Sequence, residues 1–242
     1  MNTEQHKITV SGLPVEIVRK NIKNLHLGVY PPTGRVRVAA PLRVSNEAVR
    51  LAVIGKLGWI KRQQARFERQ ARQSEREMVS GESHYFGGRR YRLRVYAANG
   101  PARVVITNSA IIELHVRLGA SVESRRKVMM NWHRQHLKDA VPPLLGKWQK
   151  RLGVEVSAFG IKRMKTKWGT CTVDARRIWI NLELAKKSPD SLEYVVMHEL
   201  VHLLARHHDD RFIAIMDEHL PRWRVLREEL NCLPLAHEAW RE

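Results

Sequence analysis

One stretch constrains this chain more than any other: residues 188–208, Ser-Pro-Asp-Ser-Leu-Glu-Tyr-Val-Val-Met-His-Glu-Leu-Val-His-Leu-Leu-Ala-Arg-His-His. Leu192, Val195, Val196, Met197, Leu200, Val201, Leu203 and Leu204 cover nearly every side of the helix it predicts. A helix apolar all round is a buried one. Its start is well signalled, with Ser188 as N-cap, Pro189 at the first position, and Asp190 and Glu193 at the positive end of the dipole. Into this apolar segment the sequence places His198, Glu199 and His202. Burying two imidazoles and a carboxylate is costly unless they pair with one another or bind a metal. Residues four apart share a helix face, so His198 and His202 can offer two nitrogens to a single Zn²⁺. Glu199, one step round, can take a proton from water bound to that ion, which is the logic of His-Glu-x-x-His.

A third ligand must come from downstream, where His207, His208 and carboxylates such as Glu218 are available. At about 100° per residue, neither His207 nor His208 lies on the His198 face while the helix continues. His208 can reach the metal only if the helix ends near Ala205-Arg206 and the chain folds back. A ten-residue offset of this kind occurs in His-Glu-x-x-His-x-x-Gly-x-x-His, where Gly permits the turn. Ala205 holds that place here, while Asp209-Asp210 can cap a following helix and favour a break.

The rest of the chain is read around this helix. Residues 7–38 alternate as strands, and Leu25–Tyr30, the turn Pro31-Pro32-Thr33-Gly34 and Arg35–Val38 predict a β-hairpin. Ser45 caps a long helix expected from about Asn46 to Gln73, its second half polar and basic. Strands return around Gly87-Gly88, break at Asn99-Gly100-Pro101 and continue through Val104–Ile106 and Ile111–Val116, a looser copy of the first hairpin plan. Ser121–Lys138 is an amphipathic helix that runs on to Leu152 with a break or kink at Pro142-Pro143. Val154–Val156, Ala158–Ile161, Lys165–Thr172 and Arg177–Leu182 read as strands. The last of these is expected to hold an extended substrate by its backbone. Asp210–Leu230 is a helix interrupted by Pro221, its Phe212, Ile215, Met216, Leu220, Trp223, Leu226 and Leu230 read as core packing. The β-rich character ends near residue 120, so the expected division is 1–120, β-rich with one long basic helix, and 121–242.

Lys and Arg number 43 against 24 Asp and Glu, a formal charge of +19. That balance attracts polyanions, so nucleic acid or a nucleotide is an expected partner of the basic surface, which otherwise acts only as a solvated face. Residues 1–120 are expected to govern such binding. No apolar run approaches 18 residues, so no membrane partner is expected. Met1–Lys7 carries no secretion-type pattern, and Cys171 and Cys232 do not make a disulfide framework; a cytoplasmic protein is expected. Cys171 is expected to pack rather than ligate.

With Thr166-Lys167-Trp168-Gly169-Thr170-Cys171-Thr172 and His198-Glu199-Leu200-Val201-His202 both in view, the sequence resembles the YgjP-like metallopeptidase family, relatives of the SprT-like and WLM proteases. The likeness extends to Val36–Pro41, Trp59-Ile60, Gly87–Tyr91 and His207-His208 before Phe212. The family's Ser-Arg-Trp-Gly-Ser-Cys-Ser stands here with conservative replacements. The resemblance implies an α+β fold: a zincin-like domain, its active-site helix packed on a small antiparallel sheet, with a β-rich N-terminal half. It implies Zn²⁺ held by His198, His202 and His208, with Glu199 as general base, acting on protein or peptide. The rivals are a metal-dependent phosphohydrolase acting on nucleoside triphosphates and a nucleic-acid-associated binding protein with a non-catalytic metal site. Neither a phosphate loop nor a Walker lysine is present for the first, and an intact Glu199 argues against the second.

Overall fold

Period-two alternation builds the first structure the chain makes. The computed structural model describes residues 5–30, 34–69, 76–164 and 167–232. Strands β1 (Gln5–Val10), β2 (Leu13–Lys20), β3 (His26–Tyr30) and β4 (Arg35–Pro41) form a sheet of order β1-β2-β4-β3. The outer pairs are antiparallel and the central β2–β4 pair is parallel. Val15, Ile17, Val36, Val38 and Ala40 face one buried core with Val49, Val53 and Ile60. Glu16, on the other face of β2 and 5 % exposed, lies 3.5 Å from Arg35 and 3.6 Å from Arg37. The β3–β4 hairpin is as expected; its turn residues 31–33 lie outside the described residues.

The long helix expected over 46–73 is two helices. Ser45 caps α1 (Asn46–Ile54), its side chain accepting from the Ala48 N–H. Gly55 and Lys56 then close the helix with bonds to the carbonyls of Leu51 and Val53, both 3.0 Å, before α2 (Leu57–Arg69) begins. Glycine weakens a helix interior by roughly 1 kcal/mol, and Gly55 and Gly58 flank the break. Residues 70–73 of the expected helix lie outside the described residues.

The chain divides into two compact units, Met1–Gln73 and Ser74–Glu242. The change of sequence character near 120 therefore falls inside the second unit. That unit opens with β5 (Ser83–Phe86), β6 (Arg89–Ala97), β7 (Arg103–Asn108) and β8 (Ile111–Val116), in the order β5-β6-β8-β7. It repeats the first sheet's plan strand for strand, two antiparallel hairpins joined by a parallel central pair. Tyr91, Leu93, Ile112, Leu114 and Val116 pack one face of it against Met129 of the next helix.

That helix, α3 (Val122–Leu152), is capped by Ser121 and closed by Gly153 in the left-handed region at φ 65°. It is helical straight through Pro142 and Pro143, where the sequence predicts a break or kink. The two prolines remove two backbone donors. Burial of Leu137, Val141, Leu145 and Trp148 along one face, on both sides of the prolines, offsets that loss.

A three-stranded sheet follows: β9 (Ala158–Lys162), β10 (Gly169–Thr172) and β11 (Arg177–Asn181), in the order β10-β11-β9. β10 and β11 are antiparallel and β9 runs parallel to β11. Val154–Val156, expected as a strand, is not one. The Val154 amide donates to the Gln149 carbonyl and the Val156 amide to the Gln149 side chain, so this segment serves the end of α3. A 3-10 helix, Leu182–Lys186, leads into α4 (Pro189–Val201), followed by α5 (Asp210–His219) and α6 (Trp223–Cys232), separated at Pro221 as expected. The largest core joins α3, β11, α4, α5 and α6, and α4 lies against β10 and β11. None of the helices among the described residues is long and apolar enough to cross a membrane.

Candidate metal centre

The Ser188 hydroxyl accepts from the Ser191 amide at 3.2 Å and starts α4 as expected. The apolar positions of α4 are buried, with Glu199 among them. The helix stops at Val201, sooner than the expected Ala205-Arg206. Leu203 bonds back to the Leu200 carbonyl at 3.0 Å and Leu204 to Val201 at 2.9 Å, winding the chain into a tight turn without glycine. Asp209 then caps α5, accepting from Phe212 N–H at 3.0 Å. These two local events swing His208 back over α4.

The result is a convergence of three imidazoles. A ring nitrogen from each of His198, His202 and His208 lies within 4.8 Å of the others, and Nε2 of His208 is 3.0 Å from Nε2 of His198. Two imidazole nitrogens bound to one tetrahedral zinc, each at about 2.0–2.1 Å, stand about 3.3 Å apart, so the spacing fits such an ion. Phe212, 1 % exposed, forms the floor, its ring centroid 4.9, 5.1 and 4.7 Å from those of His198, His202 and His208. The core stripe read from the sequence thus includes a residue that seats the three imidazoles.

Charge and hydrogen bonding suit cation binding. Burial lowers His198 to about 3, helped by its two histidine neighbours, and burial likewise lowers His202 and His208. All three are neutral imidazoles with lone pairs to give near pH 7. His202 Nδ1–H donates to the Ala205 carbonyl at 3.3 Å, which turns its Nε2 toward the cluster. His207 lines the same cleft but is not part of the cluster, and the Glu218 side chain, 73 % exposed on α5, is also outside it.

Glu199 is 5 % exposed and its carboxyl is pushed up to about 8 by burial, opposed by the Lys167 charge and a backbone N–H from Cys171. β10 runs directly over it: a Cβ added to Gly169 would stand 2.6 Å from Glu199 Oε1. Cys171 is half-buried and stands apart from the histidine cluster, its thiol raised to about 11 chiefly by burial. The loop leading into β10 is held by Asn181, fully buried, whose Nδ2 donates to the carbonyls of Met164 at 2.9 Å and Lys167 at 2.7 Å. The only sequence signal for Asn181 is a polar residue closing the apolar run Ile178–Ile180. A cleft of about 760 Å³ opens beside these groups, lined by Lys167 to Cys171, Tyr194 and Arg206 among others.

The strand expected to receive a substrate, Arg177–Leu182, cannot do so. β11 is the middle strand, with both edges occupied by β10 and β9. The cleft is lined instead by β10, whose outer edge pairs with no strand among the described residues.

Residues 23–232 match the family model described as YgjP-like, metallopeptidase domain. A curated relative, the uncharacterized protein aq_aa15 of Aquifex aeolicus (strain VF5), is 39% identical over 69 residues, 28% of this chain and 63% of that protein. The chain therefore spans somewhat under two thirds of that relative's length. Among solved structures, the zymogen of abylysin, a metallopeptidase of Pyrococcus abyssi, is 20% identical at a TM-score of 0.35, covering 37% of this chain and 90% of its own. The zymogen of jannalysin, a metallopeptidase of Methanocaldococcus jannaschii, is 18% identical at 0.33, covering 39% and 86%. With the family model matched over most of its length, this chain belongs to the YgjP-like metallopeptidase domain family.

Proposed function

We propose that this protein is a zinc-dependent peptidase in which His198, His202 and His208 hold the ion and Glu199 is the general base. The observation that carries the reading is the convergence of three neutral imidazoles on one point, beside a buried carboxylate in one cleft. Three protein ligands leave a fourth position open, as in catalytic rather than structural sites. A bound zinc would supply a Lewis acid for the scissile carbonyl and lower the pKa of its water toward about 7.

The chain's own groups do the rest. Beside a bound cation, whose charge would offset the effect of burial and favour the ionised form, Glu199 Oε accepts the proton of the attacking water and then donates it to the departing amine. The Cys171 amide and Gly169, pressed against Glu199, fix that carboxylate in place. The free edge of β10 offers backbone N–H and C=O groups along the cleft, so an extended peptide can lie there as an added strand. Recognition through backbone groups is indifferent to side chains, which suits a protein or peptide substrate rather than a nucleotide. Every residue of this reading lies within 121–242, the span that forms the catalytic domain in this proposal.

The test is Glu199→Gln. The variant is expected to fold and retain stoichiometric zinc by elemental analysis, yet to lose cleavage of an unfolded protein substrate. Wild-type turnover by this variant would remove Glu199 from the mechanism, and loss of zinc would make it a ligand or a support for one.

A further inference from the structure

The second four-stranded sheet has one face packed on α3 and the other turned to solvent. The alternation along β6 sends Tyr91 and Leu93 inward and leaves Arg90, Arg92, Arg94 and Tyr96 exposed. Register extends this outer face across the neighbouring strands. Tyr85 of β5 lies opposite Arg90, and His115 of β8 lies between Tyr96 and Arg103. Alternate residues on a strand are about 6.7 Å apart, so the three arginines of β6 form a straight row at close to the phosphate spacing of a stretched single strand.

Two observations separate this face from an ordinary solvated surface. Lysines and arginines that protect a sheet from association sit on edge strands, and β6 is an inner strand, flanked by β5 and β8. Rings accompany the charges: Tyr85 and Tyr96 are each 38 % exposed, and Tyr96 stacks on His115 at 5.3 Å with 23° between the planes. The acidic group on the face, Glu113, is already engaged by His115 at 3.1 Å and by Thr107, with the Arg94 charge nearby. Among the described residues no carboxylate pairs with Arg90, Arg92 or Arg103.

We propose that this outer sheet face binds single-stranded nucleic acid, with Arg90, Arg92, Arg94 and Arg103 on the phosphates and Tyr96 and Tyr85 stacking on bases. Sequence-tolerant binding of single strands combines a cationic track with aromatic platforms in this way. A four-stranded sheet is too broad to enter a duplex groove, which admits a helix or a two-stranded ribbon. An acidic peptide would satisfy the arginines but leave the rings without partners.

The experiment uses the full chain and a fluorescein-labelled mixed-sequence 15-nucleotide DNA, followed by anisotropy between 50 and 200 mM salt. Arg90→Gln/Arg92→Gln/Arg94→Gln is expected to reduce the salt slope by about 2, at about 0.7 per phosphate contact on single strands. Tyr96→Ala is expected to weaken binding about tenfold, and Tyr96→Phe to restore it. Lys127→Gln/Lys138→Gln/Lys150→Gln removes the same charge from exposed positions of α3 and is expected to stay within twofold of wild type. Equal losses from the two triple variants would overturn the proposal, as would an unchanged Tyr96→Ala. It also fails if a duplex of the same sequence, or poly-glutamate at equal charge, binds as tightly as the single strand.

Discussion

Gly169→Ala is the sharpest probe of how β10 and Glu199 work together. The added methyl would lie 2.6, 2.7 and 2.9 Å from Oε1, Cγ and Cδ of Glu199, whereas ordinary contact begins at 3.4 Å. Glu199 must then retreat by about 0.8 Å, and a misplacement of about 1 Å in a reacting group can cost on the order of a hundredfold in rate. The expected loss in kcat is therefore about a hundredfold, equivalent to about 2.7 kcal/mol of barrier. The backbone itself should tolerate the change, because Gly169 is not in the left-handed region. Alanine at a compatible site also stiffens the unfolded chain, offsetting part of the strain. Peptide-cleavage kinetics, zinc content and a urea melt measured on the same preparation separate these effects. The reasoning is refuted if Gly169→Ala keeps wild-type kcat, or if its loss of activity merely follows a loss of zinc or of folded protein.

His208→Ala is expected to lose zinc and activity, while His207→Ala and Glu218→Ala keep both; metal analysis of the three variants decides, and retention of zinc by the first would overturn the ligand set. Acid should weaken the fold through His133 and His84, which are 4 % and 7 % exposed and whose pKa values are both lowered chiefly by burial. Below pH 6.5 the unfolded chain binds protons that the folded chain refuses, so the stability present above 6.5 falls as pH drops, at up to about 1.4 kcal/mol per pH unit for each histidine. His133→Leu removes one such group, and its buried Nε2 has no partner among the described residues. The difference in urea midpoint between pH 7.5 and pH 5 should shrink in this variant, and an unchanged difference would exclude His133 as a source.

Local signals in the sequence carried the site a long way. Ser45, Ser188 and Asp209 all cap the helices they were expected to cap, because an N-cap needs only its own next three residues. His198 and His202 needed only helical spacing. His208 was reachable by arguing that Asp209-Asp210 could start a new helix, although the turn closes sooner than the Gly-less sequence suggested. Pairing was harder. Nothing within Arg177–Asn181 says that both of its edges are occupied, since its partners are set by strand order, and the strand expected to receive a substrate is an interior one. Gly169 was visible as a glycine, but its contact with Glu199 joins residues thirty positions apart and has no local signature. The prolines of α3 failed as signals for the opposite reason: tertiary packing outweighed a correct local rule.

The repeated sheet plan bears on the order in which the molecule assembles. Every strand pairing of the first sheet is completed within residues 5–41, and every pairing of the second within 83–116. Such low contact order favours early, rapid closure, and both sheets can form while the remainder is still being synthesised. The layer that carries the three-histidine cluster cannot, because α3 must wait for β11, α4, α5 and α6 before Leu137, Val141, Leu145 and Trp148 are covered. During synthesis the chain therefore carries two finished sheets ahead of a remainder whose core is still open. The three-histidine cluster is then the last feature to close, since the core beneath His198, His202 and His208 is complete only once α6 has been made.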